Sequence, residues 1–515
     1  MILYILIAFI FSWCWYCITE VRSSPLYPVP KAHWSCHLSS LWILWVRYSG
    51  REHSELFEAH KKHGPIVQVD PKSLSVSSYH DGIRKIYDGG FPKPADFFAP
   101  FQYYGRENAF TSLDRSSHSR RRKRTAALYS KSALLQSEHL QAITIKIVYA
   151  ELIPFINRAT AENKAIDGLD LSYRLCSDFL SSFLFGHING SRYLQDPASE
   201  ISTWRFHYEN TMCHEMFFVQ ETPQLYKALK LISIDLLPKQ YADSKRFLEK
   251  WMLDMAKKAD SATGTQVAPE DEPVVYLAAK RAVDRDSVHL DPREKANEVA
   301  SEMFDHLSAS REVLGLVLGY TFWYLAQNLG AQQAIREELK AHHKDTRSST
   351  YPQYKTDNAR TSPVANLDHL PYLRAVIDES LRMRPTSTPL PRVTPPDRPS
   401  SIAGFDNIPP GTKVNTFQWF VHCDPAKWDH VSKWMPERWL HSDKNEKPGV
   451  LWPFVSGPRT CLGNNLTYYI MQHVLAVIFT NFSFAALPRA EQGHWPGSSE
   501  DRLPIRVTPI MHGGL

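Results

Sequence analysis

Residues 454–463 (FVSGPRTCLG) hold the side chain best suited to chemistry, a cysteine on a tight loop with glycines on both sides. Apolar residues recur at every fourth position after the loop and predict a helix that starts just beyond Cys461: Leu466, Ile470, Val474 and Ile478. Backbone N–H groups and the helix dipole at such a terminus favour thiolate over thiol. No second cysteine or histidine lies within a few residues, so a single thiolate bound to a haem iron fits better than a zinc site.

The spacing F-x-x-G-x-R-x-C-x-G resembles the haem-binding loop of cytochromes P450. It is matched at five positions: Phe454, Gly457, Arg459, Cys461 and Gly463. The resemblance implies that Cys461 is the axial ligand of the haem iron and that the other four residues belong to the cofactor site. A buried, inert cysteine is the alternative, which the accompanying motifs disfavour.

A second signature, ESLR, places Glu379 and Arg382 three residues apart on a predicted helix, so the two side chains share a face and can pair. Alone, this pattern is typical of an exposed ion pair. The segment PERW resembles a further P450 element, in which Arg438 completes a buried network with Glu379 and Arg382. The implied role of the three residues is structural, because loss of one partner would leave an uncompensated buried charge.

The resemblance also implies that Arg459, Arg392 and Arg122 hold the haem propionates. His118 stands where the family often has tryptophan, a departure from the pattern. Residues 120–124 are five consecutive basic residues, which could also be a nuclear-localisation signal. In an anchored haem protein we favour a solvated basic face that docks an acidic electron donor, namely NADPH-cytochrome P450 reductase.

The central helix breaks the family pattern. Where the family usually has A/G-G-x-D/E-T-T, residues 309–314 read ASREVL, so the acid remains as Glu312 while Val313 and Leu314 replace the alcohols. The family's alcohol organises water for protonating dioxygen. Ser310 lies three residues before Val313, so we expect a shared helix face, and we hypothesise that its hydroxyl replaces the missing alcohol.

Three alternatives stay open at this segment. A substrate hydroxyl organises the water, or Ser310 only bonds the His306 carbonyl one turn back, or the enzyme does not split dioxygen at all. The third alternative covers isomerases, dehydratases and peroxide-driven enzymes. Arg311 is unusual beside a haem, and we expect it to face outward and pair with an acid.

The elements that must position these residues are mainly helical. Between Pro292 and Pro352 there is no proline, and residues 296–328 read as one helix about 50 Å long across the middle of the fold. Short β-type runs lie within residues 65–78 and 410–416. The predicted class is mainly α with small β-sheets, a cytochrome P450 fold with a long central helix over the haem.

The chain of 515 residues carries a net charge of only +5, too mild to indicate nucleic acid. Its first 18 residues are apolar and uncharged, which predicts a transmembrane anchor over residues 1–20. A proline-containing hinge follows over 21–34 and a single catalytic domain over 35–515. Basic residues after the anchor predict a single-pass protein of the endoplasmic reticulum membrane with a cytosolic catalytic domain, although a cleaved signal peptide is the alternative.

Residues 91–110 are dense in aromatic side chains where the resemblance places the first substrate-contacting loop, so we expect a hydrophobic substrate, with core packing as the alternative. By position, further pocket candidates are Phe304, Leu307, Ser308, Pro389 and Leu390. The resemblance to fungal microsomal members implies a monooxygenase that hydroxylates or desaturates a polyketide-derived or terpenoid metabolite. A haem-binding protein without turnover is the alternative from another class.

Overall fold

The computed structural model describes residues 22–195, 198–261, 267–342, 367–385, 390–440, 449–487 and 502–510, together with Trp15 and Thr19. Helices dominate these residues. In chain order the α-helices are α1 (Leu41–Tyr48), α2 (Glu52–His63), α3 (Arg84–Asp88), α4 (Ala95–Phe98), α5 (Arg115–Lys123), α6 (Lys131–Gln136), α7 (Glu138–Thr144), α8 (Ile153–Ala161), α9 (Gly168–Phe185), α10 (Ala198–Thr211), α11 (Met216–Glu221), α12 (Pro223–Leu231), α13 (Lys239–Ser261), α14 (Val274–Asp286), α15 (Pro292–Ala309), α16 (Leu316–Gln327), α17 (Leu329–His342), α18 (Pro371–Met383), α19 (Gln418–His422) and α20 (Asn464–Asn481).

Shorter helical segments complete the helical part. Among the described residues, three of these segments are π-helical: Tyr79–Ile83, Ile145–Leu152 and Ser310–Gly315. The single 3₁₀ turns are Trp34–His37, Ala99–Phe101, Ala126–Tyr129, His187–Asn189, Pro269–Asp271, Leu367–His369, Pro436–Trp439 and Gly457–Arg459.

The strands are few and short, and they form three small sheets. They are β1 (Ile66–Asp70), β2 (Ser73–Val76), β3 (Ile166–Asp167), β4 (Arg392–Val393), β5 (Ser400–Ile402), β6 (Phe405–Ile408), β7 (Lys413–Asn415), β8 (Phe482–Ala486) and β9 (Pro504–Pro509). The sheet orders are β1-β2-β7-β4, β3-β9-β8 and β5-β6. Only β2 and β7 pair in parallel; the other pairs are antiparallel. The predicted mainly α class with small sheets is confirmed.

The predicted central helix is present as α15, the π-helical segment Ser310–Gly315 and α16, which follow one another without a break. It begins earlier than predicted because a capping box closes its first turn. The Asp291 carboxylate accepts from the Glu294 N–H at 2.8 Å, and the Glu294 carboxylate accepts from the Asp291 N–H at 3.1 Å. The π-helical turn falls on the residues where the family pattern breaks.

The main apolar core surrounds this central helix and includes buried residues of α9, α15, α16 and α20. One helix of the described chain, Glu138–Ala161, is by length and composition able to cross a membrane. Half of its apolar window is buried inside the protein, and its residues Ile143, Ile147 and Leu152 belong to the main core. These burials identify it as a core helix.

The predicted anchor lies outside the described residues except for Trp15 and Thr19. The described part of the proline-containing hinge is docked on the body rather than extended into solvent. Leu26 and Val29 are buried in a second apolar core, and the Gln68 N–H of β1 donates to the Pro30 carbonyl at 2.7 Å. The chain therefore enters the body beside the first sheet.

Candidate active site

The cysteine loop is shaped by backbone contacts. Cys461 N–H donates to the Phe454 carbonyl at 2.9 Å, and the Phe454 ring packs against Tyr468 with centroids 5.6 Å apart. Gly457 has a φ of +72°, and a Cβ at this position would overlap the carbonyl oxygen of Tyr87. Only glycine satisfies both conditions, which explains its place in the motif.

Cys461 is solvent-accessible, yet enough protein surrounds it that burial raises the pKa of its thiol. A side chain with both properties borders an internal space. The Gly463 N–H and the Arg122 charge lower this pKa, and Asp305 of α15 raises it. The expected stabilisation at the helix terminus therefore exists, but burial outweighs it, so the thiolate form needs a further positive charge.

The central helix presents an open face at its π-helical turn. Ala309 and Val313 are exposed although the helix crosses the core, whereas Ser310 Oγ is enclosed. Hydrogen bonds of a π-helix join residue i to i+5, so its turn is wider than that of an α-helix and residues three apart, such as Ser310 and Val313, point in more divergent directions. Ser310 and Val313 therefore differ in exposure, whereas the sequence predicts a shared helix face.

The hydroxyl of Ser310 has no hydrogen-bond partner among the residues that the structure describes. It does not donate to the His306 carbonyl, the bond one turn back that is common for serines within helices. Ser308, one of the expected pocket residues, does make such a bond, to the Asp305 carbonyl at 3.2 Å. Ser310 thus retains hydrogen-bonding capacity that a buried hydroxyl normally uses.

Arg311 and Glu312 form an ion pair in this turn. The expected pairing of Arg311 with an acid is confirmed, but the expected outward direction is wrong, because Arg311 is only 3% exposed. Its guanidinium lies over the rings of Tyr173, Trp204 and Tyr208, 4.7, 5.0 and 5.2 Å from their centroids. Burial raises the pKa of Glu312, while Arg311 lowers it.

The three arginines expected at the propionates converge beside the cysteine loop and contact backbone carbonyls. Arg122 donates to Thr460 at 2.6 Å, Arg459 to Ser112 at 2.6 Å and Leu113 at 2.8 Å, and Arg392 to Pro391 at 3.0 Å. Burial lowers the pKa of each arginine, that of Arg459 to about 10 with a further contribution from Arg392. Such a group of cations calls for an anionic partner.

Two more basic side chains join this group, and sequence reasoning missed one of them. Lys93 donates to the Phe110 carbonyl and lies over the Phe98 ring, 4.4 Å from the centroid. Burial and then the charges of Arg392 and Arg459 hold its pKa well below the usual value. His118, which replaces the family's tryptophan, has its pKa lowered to about 4, chiefly by burial and then by Arg459.

The basic run is solvated only in part. Arg121 and Arg124 are buried and pair with Glu298 of α15, the Arg124 contact being 2.9 Å, while Arg122 turns toward the cysteine loop. Only Arg120 and Lys123 of residues 120–124 are exposed. The helical period places positions 121 and 124 on the inner side of α5, so the solvated face is smaller than the run of five basic residues indicates.

Glu379, Arg382 and Arg438 form the expected network. Both Glu379 and Arg382 have 0% exposure, with Arg382 donating to the Glu379 carboxylate at 2.8 and 2.9 Å and Arg438 at 3.2 Å. The Met435 N–H and the Trp439 indole donate to the same carboxylate at 2.9 and 3.0 Å. Its charge is thus fully compensated.

Two acids on α15, Glu302 and Asp305, were not foreseen from the sequence. The Glu302 carboxylate accepts from the Ala109 N–H at 3.1 Å, and the His306 ring bonds the Tyr129 hydroxyl at 2.9 Å one turn later. Burial raises the pKa of Glu302 to about 7 and, together with Glu302, that of Asp305 to about 8. Asp305 lies one turn before the exposed Ala309.

The aromatic segment 91–110 is largely packed against the body. The rings of Tyr103 and Phe304 lie 3.8 Å apart, and Phe98, Phe304 and Leu307 are buried. Pro389 lies outside the described residues, and Leu390 is partly buried. A cavity of about 330 Å³ opens beside this segment, between α1, α4 and α11. Its lining includes apolar side chains, among them Phe97, Phe101, Met216 and Phe217, and the charged side chains of Arg47, Glu52 and Glu221.

The described residues fit a haem. They offer one accessible thiol on a tight loop and a group of cations suited to two carboxylates. The exposed face of the central helix supplies an apolar wall. The cytochrome P450 family profile matches residues 33–497, most of the chain, so the chain belongs to the cytochrome P450 family. Its members are haem-thiolate iron enzymes, and the protein is a cytochrome P450 monooxygenase, an oxidoreductase.

Several fungal proteins are similar along most of their length. Cytochrome P450 monooxygenase ORF9 of Penicillium roqueforti is 25% identical over 89% of this chain and 83% of its own. Cytochrome P450 monooxygenase astD of Aspergillus oryzae is 25% identical over 94% and 88%, respectively. Pisatin demethylase of Fusarium vanettenii is 24% identical over 86% and 81%.

Proposed function

We propose that this monooxygenase hydroxylates or desaturates a hydrophobic fungal secondary metabolite, polyketide-derived or terpenoid, with electrons from NADPH-cytochrome P450 reductase. The observation that carries the proposal is the accessible Cys461 thiol, which lies within reach of the Arg122 charge and of Asp305 on the central helix, beside a group of converging cations. The apolar side chains that line the cavity beside residues 91–110 support a hydrophobic substrate, and the Arg47–Glu221 ion pair on the same lining supports a polar group on it.

In this proposal Cys461 is the iron ligand, and Arg122, Arg392 and Arg459 hold the propionates. Lys93 and His118 join them, because both lie within the same group of cations. The haem, when bound, supplies the activation of dioxygen and the oxidation of a substrate carbon. Phe454, Gly457 and Gly463 shape the loop. The Phe454 carbonyl accepts from the Cys461 N–H, Gly457 permits the close approach of the loop to α3, and Gly463 directly precedes α20.

Glu312 and Ser310 are proposed to deliver protons. Glu312 is the acid of the π-helical turn, and burial raises its pKa, so its protonated form persists to higher pH. Ser310 Oγ has unused hydrogen-bonding capacity within the same turn. Glu379, Arg382 and Arg438 act structurally, since each contacts protein groups.

Electron transfer is proposed to occur beside the cysteine loop. Arg120 and Lys123 are exposed on α5, whose Arg122 touches Thr460 of that loop. Two exposed cations next to the site support docking of an acidic donor, though over a smaller face than the sequence indicates.

Membrane attachment is proposed at the endoplasmic reticulum, with the catalytic domain in the cytosol. Large apolar side chains are exposed near the start of the described chain, among them Trp34 at 76%, Leu41 at 74% and Trp45 at 60%. Helix α1 contacts α11 through Tyr48 and Phe217, 5.3 Å apart, and α12 beyond it ends in the exposed Leu231. This side of the molecule suits a lipid surface next to the predicted anchor.

The reaction is tested by accurate-mass comparison of metabolites from the strain that carries the gene and from its deletion mutant. We expect a precursor to accumulate and a product one oxygen heavier, or two hydrogens lighter, to vanish. An isomer, or a product that differs by water alone, would overturn the proposal and favour a redox-neutral enzyme. The redox-neutral enzyme is the second candidate, and the observation that favours it is the presence of Val313 and Leu314 where the family has alcohols.

The ligand assignment is tested on the purified holoprotein by the spectrum of its reduced carbon monoxide complex. Cys461→Ser is expected to abolish the spectrum typical of thiolate ligation. Cys213→Ser is the matched control, because Cys213 is also a free cysteine and lies outside the cysteine loop. Retention of the thiolate spectrum in Cys461→Ser would contradict the assignment.

A further inference from the structure

Arg311 occupies a position to which the family motif assigns no residue type, and here it is almost fully enclosed. Besides its ion pair with Glu312, it lies among three aromatic rings from two helices. Tyr173 belongs to α9, and Trp204 and Tyr208 belong to α10. The guanidinium therefore connects the π-helical turn to both helices.

The π-helical turn is also held tightly by α9. The Ser172 hydroxyl donates to the Gly315 carbonyl at 2.7 Å, and a Cβ at Gly315 would lie 2.6 Å from the Tyr173 ring. This leaves the end of the turn fixed while its start carries the ion pair. A charge buried in such a place costs free energy unless its partners are well arranged.

A guanidinium suits this site better than an ammonium group does. Its planar face stacks on aromatic rings while its edge donates to a carboxylate, whereas lysine offers only a compact, strongly hydrated charge. Glu312 supplies the anionic partner, and the rings of α9 and α10 supply the faces. The three rings thus fix the direction of Arg311 and, through it, that of the Glu312 carboxyl group.

We propose that Arg311 is a positioning residue that holds the Glu312 carboxyl group for proton delivery and couples it to the helix α10. The inference rests on the proposed role of Glu312. Arg311 touches the acid and the aromatic rings rather than the reacting atoms. In this arrangement, a shift of α10 relative to the central helix moves the ring faces and so misdirects the acid.

Cumene hydroperoxide tests the proposal without the natural substrate or the reductase. Two-electron cleavage of its O–O bond gives 2-phenyl-2-propanol and leaves the holoprotein oxidised by two electrons, which guaiacol restores. One-electron cleavage gives an alkoxyl radical, which loses a methyl radical and forms acetophenone. A proton given to the departing oxygen favours the first route. The ratio of alcohol to acetophenone therefore reports on the positioned acid.

We expect Arg311→Gln and Glu312→Gln each to lower this ratio by about tenfold, the effect of losing one charge-assisted hydrogen bond. The double variant is expected to match Glu312→Gln, because Arg311 acts through Glu312. Arg246→Gln is the control, since Arg246 is an exposed arginine paired with Asp243 on α13. Additive losses in the double variant, or an unchanged ratio in Arg311→Gln, would overturn the proposal.

Tyr208→Leu covers the case in which Arg311→Gln fails to fold, because it removes one ring and keeps the ion pair. It is expected to lower the ratio by a smaller factor, with haem content and the carbon monoxide spectrum unchanged. An unchanged ratio in this variant would contradict the coupling to α10. Failure of the proposed monooxygenase function would be visible separately, as the absence of an oxidised metabolite with the ratio still responding to Arg311.

Discussion

At the residue scale, two serines in one stretch of the central helix have opposite surroundings. Ser308 donates to a carbonyl of its own helix, as most serines within helices do. Ser310 makes no hydrogen bond within the described chain, although its oxygen is enclosed. A buried hydroxyl without a partner lowers the free energy of unfolding by about 1 to 3 kcal/mol. The presence of serine at position 310 therefore points to a role in function rather than in stability.

Ser310→Ala is therefore expected to change the fate of electrons more than the stability of the fold. In the holoprotein reconstituted with the reductase, the hydrogen peroxide released per NADPH consumed should rise several-fold, because less frequent delivery of the proton needed for O–O cleavage leaves the bond intact and the oxygen departs as peroxide. Ser308→Ala is the matched control and should leave this ratio near the wild-type value. Equal ratios in wild type and Ser310→Ala would remove Ser310 from proton delivery.

Single residues of the site were predictable where a local motif contains them. Cys461, Arg459 and Gly457 lie within one loop, so their spacing alone indicates their place. Lys93 and Asp305 lie far from that loop in the sequence and meet it only in the fold. The direction of Arg311 was also unpredictable, because the rings that enclose it come from α9 and α10.

At the scale of elements, the central helix was predictable from the gap between prolines, and its π-helical turn was not. That turn depends on tertiary contacts, such as the bond from Ser172 to the Gly315 carbonyl. The helix α5 shows the same limit, because its run of cations reads as solvated until the buried Glu298 is placed beside it.

The network around Glu379 makes the charges of Glu379 and Arg382 on α18 depend on one another. Glu379→Gln leaves Arg382 at 0% exposure without its anionic partner, so we expect a loss of about 3 to 5 kcal/mol in the free energy of unfolding. Urea unfolding of the holoprotein followed by circular dichroism measures it.

Glu58→Gln is the control for this element. Glu58 and Lys61 on α2 have the same i, i+3 spacing, but their side chains are 68% and 56% exposed. An exposed pair of this kind contributes at most about 1 kcal/mol. Similar losses in the two variants would contradict the assignment of a compensated buried charge at Glu379.

At the scale of the whole molecule, the described chain packs around three apolar cores, and only the first surrounds the central helix. The third joins α1, α2, β1 and α19. His60 ties this part together, since its Nδ1–H donates to the Gly64 carbonyl at 2.9 Å and its Nε2 accepts from the Ser75 hydroxyl at 2.9 Å. Because a carbonyl can only accept, the proton of the neutral ring lies on Nδ1. Burial disfavours a second proton on Nε2.

His60 should make the stability of the protein depend on pH far from the active site. Burial lowers the pKa of His60 to about 4 from 6.5 in the unfolded chain, so the unfolded state binds a proton that the folded state refuses. The neutral His60 ring therefore contributes ~3 kcal/mol to the free energy of unfolding. This contribution is complete above pH 6.5 and is lost as the pH falls through about 4. The melting temperature of the wild type, relative to that of His60→Gln, should therefore fall over this interval. His63→Gln is the control, because it removes an exposed histidine of the same helix. The difference in melting temperature between the wild type and His63→Gln should stay constant. A constant difference for His60→Gln as well would show that His60 is not held neutral by burial.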